Sequence, residues 1–546
     1  VSENGQKDKL PKGWTQAGIG ELLGSEGIFC DGDWVESKDQ DPSGDIRLIQ
    51  LADVGDGNYR NRSNRFLTSS KAADLHCTYI QPGDLLIARM PDPLGRACIF
   101  PGDTKDSVTV VDVCIVRLGS SIDRRWLMHQ LNTPQMRERV ASLQSGSTRK
   151  RISRANLAKI AFPVPPLSEQ VRIASVTDEL FSDLDFAVGA IERARKKLNL
   201  YRASILKAAI EGVLTAEWRA QPPNIESASD LLKRILVERR CRWEEDQLRK
   251  FKEQGKELPK NWKSRYKEAV APNVESLEPQ PKGWCWATLD QLLWQLRSGT
   301  AETSGKVPTD YPVLKSSAVR SGRIDFQELN FLDASQSRYR ENFLEPGDFL
   351  ITRLSGSVEY VGCSAVVEDI PSSGIQYPDR IFCGKLVFGE LGVYLSYCFQ
   401  HARIRKSLEN SAKSTAGHQR ISMSDLYPLV IALPPRDELT VIVETVEHQL
   451  SIITHIEADL DSRLKAAKSL RQSILRHAFE GKLVPQDLND EPASELLKRI
   501  AIEREERACE AAAAKAATTK SKNSRKPRVK AAKTSLKNSM NQEIRH

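Results

Sequence analysis

Two arginines stand at matching places in this chain. Arg89 closes the run Gln81-Pro82-Gly83-Asp84-Leu85-Leu86-Ile87-Ala88, and Arg353 closes Glu345-Pro346-Gly347-Asp348-Phe349-Leu350-Ile351-Thr352. A guanidinium at the end of an apolar strand can reach a base edge or a phosphate, since Arg is the usual bidentate reader of guanine. It can equally be a surface arginine paired with a nearby carboxylate. Arg353 continues into Leu354-Ser355-Gly356-Ser357, a small polar loop whose backbone can approach a ligand. A second pair of stretches repeats the pattern. Ser145 to Arg151 is a basic loop ending Arg149-Lys150-Arg151, and Ser414 to Arg420 is its counterpart, ending His418-Gln419-Arg420. These loops are candidate DNA contacts, with plain solvated charge as the alternative; recurrence at equivalent places favours contact.

Catalytic machinery is missing from the pattern. No glycine-rich loop runs into Gly-Lys-Ser/Thr, and Gly305-Lys306-Val307 and Gly384-Lys385-Leu386 are the nearest approaches, so no P-loop is expected. A methyltransferase acting on the adenine amino group needs Asn or Asp before Pro-Pro. Here the proline pairs follow Val164, Leu433 and Gln221. Pro378-Asp379 lacks the downstream acid-x-Lys of a nuclease. The ten cysteines are scattered without a CxxC pair, and the histidines do not join them at ligand spacing. Free cysteines and no metal site are expected.

The elements that position these residues occur twice. Pro165-Pro166-Leu167-Ser168-Glu169 opens a stretch that closes Ile205-Leu206-Lys207-Ala208-Ala209-Ile210-Glu211-Gly212-Val213-Leu214. Pro434-Pro435-Arg436-Asp437-Glu438 opens a second, closing Ile474-Leu475-Arg476-His477-Ala478-Phe479-Glu480-Gly481-Lys482-Leu483, at an offset of 269 (434 against 165). That period is too long for a solenoid and marks two copies of one large module. Between the ends, apolar residues step by three and four: Ile173, Val176, Leu180, Leu184, Ala187, Ile191, Ala194, Leu198, Tyr201 and Ile205. In the second copy Val446, Leu450, Ile453, Leu460, Leu464, Ala467 and Ile474 form a heptad seam. Each stretch predicts a helix of about 45 residues, roughly 70 Å long, with Ser168 as N-cap of the first.

The fold expected is α+β: two globular domains separated by two long antiparallel helices in a coiled coil, with a pseudo-two-fold internal repeat. The first domain spans 1–164, with a helix over Arg124–Ser142. The first long helix spans 165–214, and a short charged helix and linker span 215–279. The second domain spans 280–433 and the second long helix 434–483. A short helix follows over 484–512, copying Ala228–Ile235 at Ala493–Ile500. From Lys515 to Arg545 there are 10 Lys and Arg against the single acid Glu543, so 513–546 is expected to be a disordered basic tail. Net charge is +8 and pI about 8.8, which suits a nucleic-acid partner without establishing one. No apolar run is long enough to span a membrane, and the polar N-terminus is unlike a signal peptide, so a cytoplasmic protein is expected.

The combination Pro-Pro-x-x-Glu, long helix, Ile-Leu-x-x-Ala-x-x-Gly-x-Leu, twice, each behind a domain entered by Pro11–Trp14 or Pro281–Trp284, closely resembles the specificity subunits of type I restriction-modification enzymes. Arg353 through Gly362, Tyr377-Pro378-Asp379-Arg380 and the Leu-Leu-Lys-Arg-Ile helices resemble its IA-like branch. The resemblance covers nearly the whole chain apart from the basic tail. It implies a bacterial or archaeal protein with two target recognition domains, each reading one half of a bipartite double-stranded DNA site, and helices acting as a ruler. It implies docking of two methyltransferase subunits, then of restriction subunits that translocate and cleave. The chain itself would be non-catalytic and bind no cofactor, with S-adenosylmethionine, ATP and Mg2+ on the partners. The residues it implies for partner docking are Glu169, Gln170, Glu211 and Gly212, and Glu438, Glu480 and Gly481. The family's usual Glu-Gln pair survives as Glu169-Gln170 but becomes Glu438-Leu439 in the second copy. Two rival readings stand beside it: a non-enzymatic coiled-coil scaffold joining protein-binding lobes, and an orphan DNA-binding regulator of the same fold.

Overall fold

The computed structural model describes residues 10–91, 93–146, 149–221, 225–275, 277–333, 342–415 and 417–524. The chain divides into two compact units, Val1–Ala190 with Arg463–His546, and Ile191–Ser462. Both long helices contribute to both units.

In the first unit a four-stranded antiparallel sheet runs in the order Ile28–Asp31, Val113–Arg117, Leu85–Ala88, Ala97–Ile99. Its strand Leu85–Ala88 is an unbroken apolar run because both faces are covered. Leu85 and Ile87 pack with Trp126 and Leu127, while Leu86 and Ala88 pack with Phe100 and Ile115. A second sheet joins Phe66–Leu67, Ile46–Ile49 and Ser107–Thr109. Thr15–Ala17 pairs with Phe162–Val164, bringing the domain's entry and exit together. The second unit repeats the plan. Its four-stranded sheet orders Leu293–Ser298, Ile381–Leu386, Phe349–Thr352 and Ser364–Val366, and Cys285–Thr288 pairs with Val430–Leu433.

The two Pro-Gly-Asp turns feed the central strands, and their aspartates organise them. Asp84 accepts the Gln81 amide at 2.8 Å and pairs with Arg117 at 2.6 Å. Asp348 accepts the Glu345 amide at 2.9 Å and pairs with Lys385 at 2.6 Å. Both turn glycines, Gly83 at φ +95° and Gly347 at φ +90°, hold the left-handed conformation.

The long helices are Leu167–Ile210 and Arg436–Phe479, 44 residues each. The first starts ahead of Ser168, which therefore does not cap it: the Gln170 amide bonds the Pro166 carbonyl at 2.9 Å, so the first turn closes on Pro166. In the second unit the helical segments run antiparallel, as the ion pairs Arg195 to Asp461 (3.2 Å) and Arg202 to Glu457 (3.0 Å) show; in the first unit Asp185 pairs with Arg471 (2.6 Å). The expected seam of the first helix shifts in its middle. Leu180, Ala187 and Tyr201 are exposed, whereas Phe181 is buried against His129. With Phe181 in place, the inward steps through Thr177, Phe181, Leu184, Val188 and Ile191 alternate four and three. Burial concentrates at the helix ends, which are core of the domains rather than of each other. Ile173, Phe181, Ile474 and Phe479 join the first unit's core; Ile205, Ile210, Leu439 and Val446 join the second's.

Other expectations need correction. The single helix over Arg124–Ser142 is two, Arg124–Leu131 and Pro134–Ser142, because Pro134 has no amide to continue the first; Thr133 caps the second, accepting the Met136 amide at 3.2 Å. The charged helix ends at Glu253. The last helix runs from Ala493 to Ser524, past the expected end at 512, through an alanine-rich stretch of high helix propensity. The rest of the basic tail, 525–546, lies outside the described residues. The ten cysteines are free. Among the described residues no helix is long and apolar enough to cross a membrane.

Candidate nucleic-acid interface

The apolar strand Phe349–Thr352 delivers Arg353 into the body of its domain. Its Nη1 donates to Ser298 Oγ at 3.2 Å and to the Asp379 carbonyl at 3.0 Å, and the guanidinium lies over Phe382 at 5.4 Å. Arg89 is held the same way, donating to Asp31 at 2.8 Å, to the Ile152 carbonyl at 2.9 Å and to the Val111 carbonyl at 3.0 Å. The expectation that these two arginines contact bases or phosphates is corrected to this extent: acceptors inside the domain take Nε and Nη1 of Arg89 and Nη1 of Arg353, which turns both guanidinium groups inward. They serve as braces. The Arg89 carbonyl accepts the Ile152 amide at 3.0 Å, and the Arg353 carbonyl accepts the Ile421 amide at 3.1 Å. In each unit the strand end is thus tied to the residue that follows the basic loop.

The braces set the loops in place. In the second unit Leu354–Ser355 pairs with His418–Arg420, which pairs in turn with Lys413–Thr415. Ser355, Gly356, His418, Gln419 and Arg420 are thereby brought together, and the Ser357 amide donates to Ser355 Oγ at 3.4 Å. Gly356, His418 and Arg420 are exposed. Beside them opens a cleft of about 120 Å3, lined by Ser316, Ser317, Arg320, Gly356, Arg380 and His418 among others. Arg320 rests over the Tyr360 ring at 4.7 Å. Sequence reasoning missed Ser316, Ser317 and Arg320, which stand well upstream of the motif and reach it only through the fold. Their signal was weak: Lys315-Ser316-Ser317 and Arg320-Ser321-Gly322-Arg323 form a small polar, basic stretch between short strands.

In the first unit Ser145 and Arg151 exchange two backbone hydrogen bonds of 2.8 Å, closing a tight loop. Gly146, at φ +96°, passes so near the Arg149 carbonyl that a Cβ would sit 2.3 Å from it. Arg149, Lys150 and Arg151 are exposed, and among the described residues no ion pair engages them. Ser147 and Thr148 lie outside the described residues. Two basic loops in equivalent positions, each tied to a rigid strand, suit a polyanion whose grooves admit arginine. Among the described residues no His, Cys, Asp and Glu group could hold a metal ion.

Comparison with known proteins points the same way. The family described as "Type I restriction modification DNA specificity domain" matches residues 11–191. The chain is 27% identical over 387 residues to the type I restriction enzyme EcoKI specificity subunit of Escherichia coli (strain K12), covering 69% of this chain and 71% of that one. It is 23% identical over 393 residues to the StySPI specificity subunit of Salmonella potsdam, covering 70% and 72%. The chain is thus similar to type I restriction-modification specificity subunits. A solved structure concerned with complex assembly and conformational transition of the type I R-M system shares the fold of this chain, at TM-score 0.59 and 15% identity, over 87% of this chain and 100% of that one.

The docking residues expected for a specificity subunit divide sharply. Glu169, Gln170 and Glu438 are buried at 1%, 0% and 0% exposure and offer no outer surface. Glu169 accepts the Trp14 indole at 2.9 Å, and Glu438 accepts the Trp284 indole at 2.8 Å. Gln170 accepts the Asp123 amide at 3.0 Å and donates to the Pro165 carbonyl at 2.9 Å. The correction has a plain cause: these residues lock the start of each long helix to a domain's entry tryptophan. Gly212 and Gly481, at φ +68° and +70°, lie under Pro281 and Pro11, where a Cβ would come within 2.8 and 2.6 Å of a ring carbon. Glu211 and Glu480 remain exposed at the helix ends.

Proposed function

We propose that this chain is a type I restriction-modification specificity subunit that reads a bipartite double-stranded DNA site, one half per domain, and directs adenine methylation and ATP-dependent cleavage carried out by partner subunits. The observation that supports this most is the recurrence of one device in both units: an arginine brace, Arg89 or Arg353, fixing a basic loop that ends Arg149-Lys150-Arg151 or His418-Gln419-Arg420. Phosphate contacts from such loops fix register on the duplex, and side chains reaching base edges supply specificity. The chain's own role is recognition. Two methyltransferase subunits would bring S-adenosylmethionine and the pocket for a flipped adenine, and restriction subunits would bring ATP and Mg2+. The exposed helix-end acids Glu211 and Glu480 are the docking residues of the expected set that such partners could reach.

Single-molecule methylation mapping of the complex tests the reading. Methylated adenines should fall in a split sequence with an unread spacer. A chain that copurifies with no methyltransferase, or a map without a split motif, would refute it. Each long helix would be roughly 66 Å at about 1.5 Å per residue. Removing or adding helical turns within Ser168–Val213 should change the spacer and leave both half-sites as they were; altered half-site sequences would count against the ruler.

A further inference from the structure

The first unit carries a second basic loop that neither the sequence motifs nor the family comparison assigns. Asn58-Tyr59-Arg60-Asn61-Arg62-Ser63-Asn64-Arg65 holds three arginines and no acid, and its arginines are all exposed. Among the described residues no ion pair or side-chain hydrogen bond engages Arg60, Arg62 or Arg65. The loop is nonetheless rigidly built. Asp53, fully buried, accepts the amides of Gln50 (2.8 Å), Arg62 (2.6 Å) and Ser63 (2.8 Å) together with the Ser63 hydroxyl. Arg47, reaching from the strand beneath, bonds the Ser63 carbonyl at 2.9 Å and the Asn61 side chain. Tyr59 anchors the loop edge-on against Phe100 at 5.4 Å. Asn61 sits at φ +49°, a left-handed conformation that asparagine tolerates.

Buried Arg96 places this loop next to the interface already described. Its guanidinium bonds the Leu51 carbonyl (2.8 Å) and the Val54 carbonyl (2.6 Å) on one side. On the other it bonds the carbonyls of Met90 (3.1 Å) and Pro93 (3.0 Å), in the segment that follows Arg89. Arg89 in turn holds Ile152 and the loop ending Arg149-Lys150-Arg151. Arg96 thus ties the turn that leads into this loop, and Arg89 the first basic loop, to the same strand end.

We infer that Asn58–Arg65 is a DNA-contacting loop that sets the first domain's half-site preference, with Arg60, Arg62 and Arg65 touching DNA and Asp53 as positioning residue. The inference rests on the proposed DNA-reading role. Arginine and asparagine are the side chains that pair bidentately with guanine and adenine edges, and a loop of fixed shape loses little freedom on binding.

The test uses the full chain assembled with its methyltransferase and measures binding to split-site DNA across a salt series, together with the methylation map. Arg60→Ala/Arg62→Ala/Arg65→Ala should weaken binding about tenfold or more and relax one half-site while the other stays as in wild type. The slope of log K against log salt should fall by about 0.9 for each phosphate that an arginine no longer neutralises. Lys12→Ala/Lys38→Ala/Lys498→Ala, with the same loss of charge, should leave the map unchanged. Asp53→Asn should blur the same single half-site, whereas a role in folding alone would depress both halves together. A loop variant with wild-type slope and map, or a charge control that behaves like it, overturns the inference. If wild type itself binds no split-site DNA, the underlying reading fails instead.

Discussion

The lock between each entry tryptophan and each long helix has the same geometry twice but different electrostatics, and exchanging its carboxylates for amides should expose the difference. In the second unit Glu438 has no exposure and accepts from Trp284 (2.8 Å), from the Thr215 hydroxyl (2.6 Å) and from Arg219. Arg219 is itself mostly covered, its side chain 18% exposed and its guanidinium 5.9 Å over the Trp284 ring. Glu438→Gln keeps an acceptor for Trp284 but leaves Arg219 with only the neutral Thr215 hydroxyl and Gly212 carbonyl. Breaking a buried pair on one side costs about 3–5 kcal/mol. Water reaches part of Arg219, so about 2–3 kcal/mol is expected here. At about 2–4 °C per kcal/mol for a unit of this size, melting should fall by roughly 5–10 °C.

In the first unit the balance is reversed. Glu169 accepts from Trp14 at 2.9 Å, but the nearest cation, Arg172, is turned to Asp490 at 2.6 Å. Burial pushes the Glu169 carboxyl above its ordinary 4.5, against the Trp14 hydrogen bond and the nearby Arg172 charge. A carboxyl raised on folding contributes stability that is complete below its unfolded value, near 4.5, and is lost as pH rises through its folded value. Glu169→Gln should therefore match wild type near pH 4.5 and be equal or more stable at pH 8. Hydrogen exchange read by mass spectrometry separates the units: Glu438→Gln should lose protection around 205–219 and 284–296, Glu169→Gln around neither that region nor its own. Adding Arg219→Met to Glu438→Gln should recover more than half of the loss, because the stranded charge is gone. Equal effects of the two Glu→Gln substitutions, or no recovery in the double variant, would refute the reasoning.

Further expectations are independent of that lock. Gly212→Ala and Gly481→Ala should each cost about 2 kcal/mol in thermal or urea unfolding, since both glycines hold a left-handed φ beneath a proline ring that a Cβ would strike. Asp178 bonds His129 at 2.7 Å and Arg125 at 3.2 Å. Burial opposes its ionisation, but these partners outweigh burial and hold the carboxyl below its ordinary 3.8. Its contribution is therefore present above about pH 4 and lost as pH falls further. Asp178→Asn should cost about 1 kcal/mol at pH 7, discounted for the 40% exposure of the carboxylate, and the gap to wild type should close in acid unfolding.

The repeat was legible because it is carried by residues packing cannot vary singly. Pro11, Trp14, Glu169 and Gly481 form one unit's lock and Pro281, Trp284, Glu438 and Gly212 the other's, so both sets survive in the sequence at matching places. What could not be read was side-chain direction. Arg89 and Arg353 end strands as expected, but only the fold shows that Asp31 and the Asp379 carbonyl capture them. The glutamates after Pro-Pro look like solvent-facing first-turn acids, and nothing local reveals that a tryptophan about 155 residues away covers each. Phe181 displaced Leu180 from the seam because His129 and the Arg471 guanidinium, 4.0 Å from its ring, supply a pocket that helical spacing does not encode. The loop at Asn58–Arg65 escaped notice because its organiser, Asp53, is one unremarkable acid in a turn.

That division between locked interior and open loop has a consequence for stability. Asp53 serves four donors with no exposure, so Asp53→Ala strands the amides of Gln50, Arg62 and Ser63 and should cost about 3 kcal/mol or more. Arg60, Arg62 and Arg65 are exposed on the same loop and make no ion pair or side-chain hydrogen bond among the described residues, and replacing each should cost within about 0.5 kcal/mol. Denaturant titration of the full chain compares them directly. If the arginine variants destabilise as much as Asp53→Ala, the side chains belong to the fold and are not free to contact DNA. If they leave the midpoint unchanged, what the loop touches can vary while the turn that shapes it stays fixed. In the second unit the basic surface is built on a different frame, the small sheet of Leu354–Ser355, His418–Arg420 and Lys413–Thr415, set on the same core plan. Two domains with one interior and two unlike outer loops are what a protein needs if its halves must read different sequences without being refolded for each.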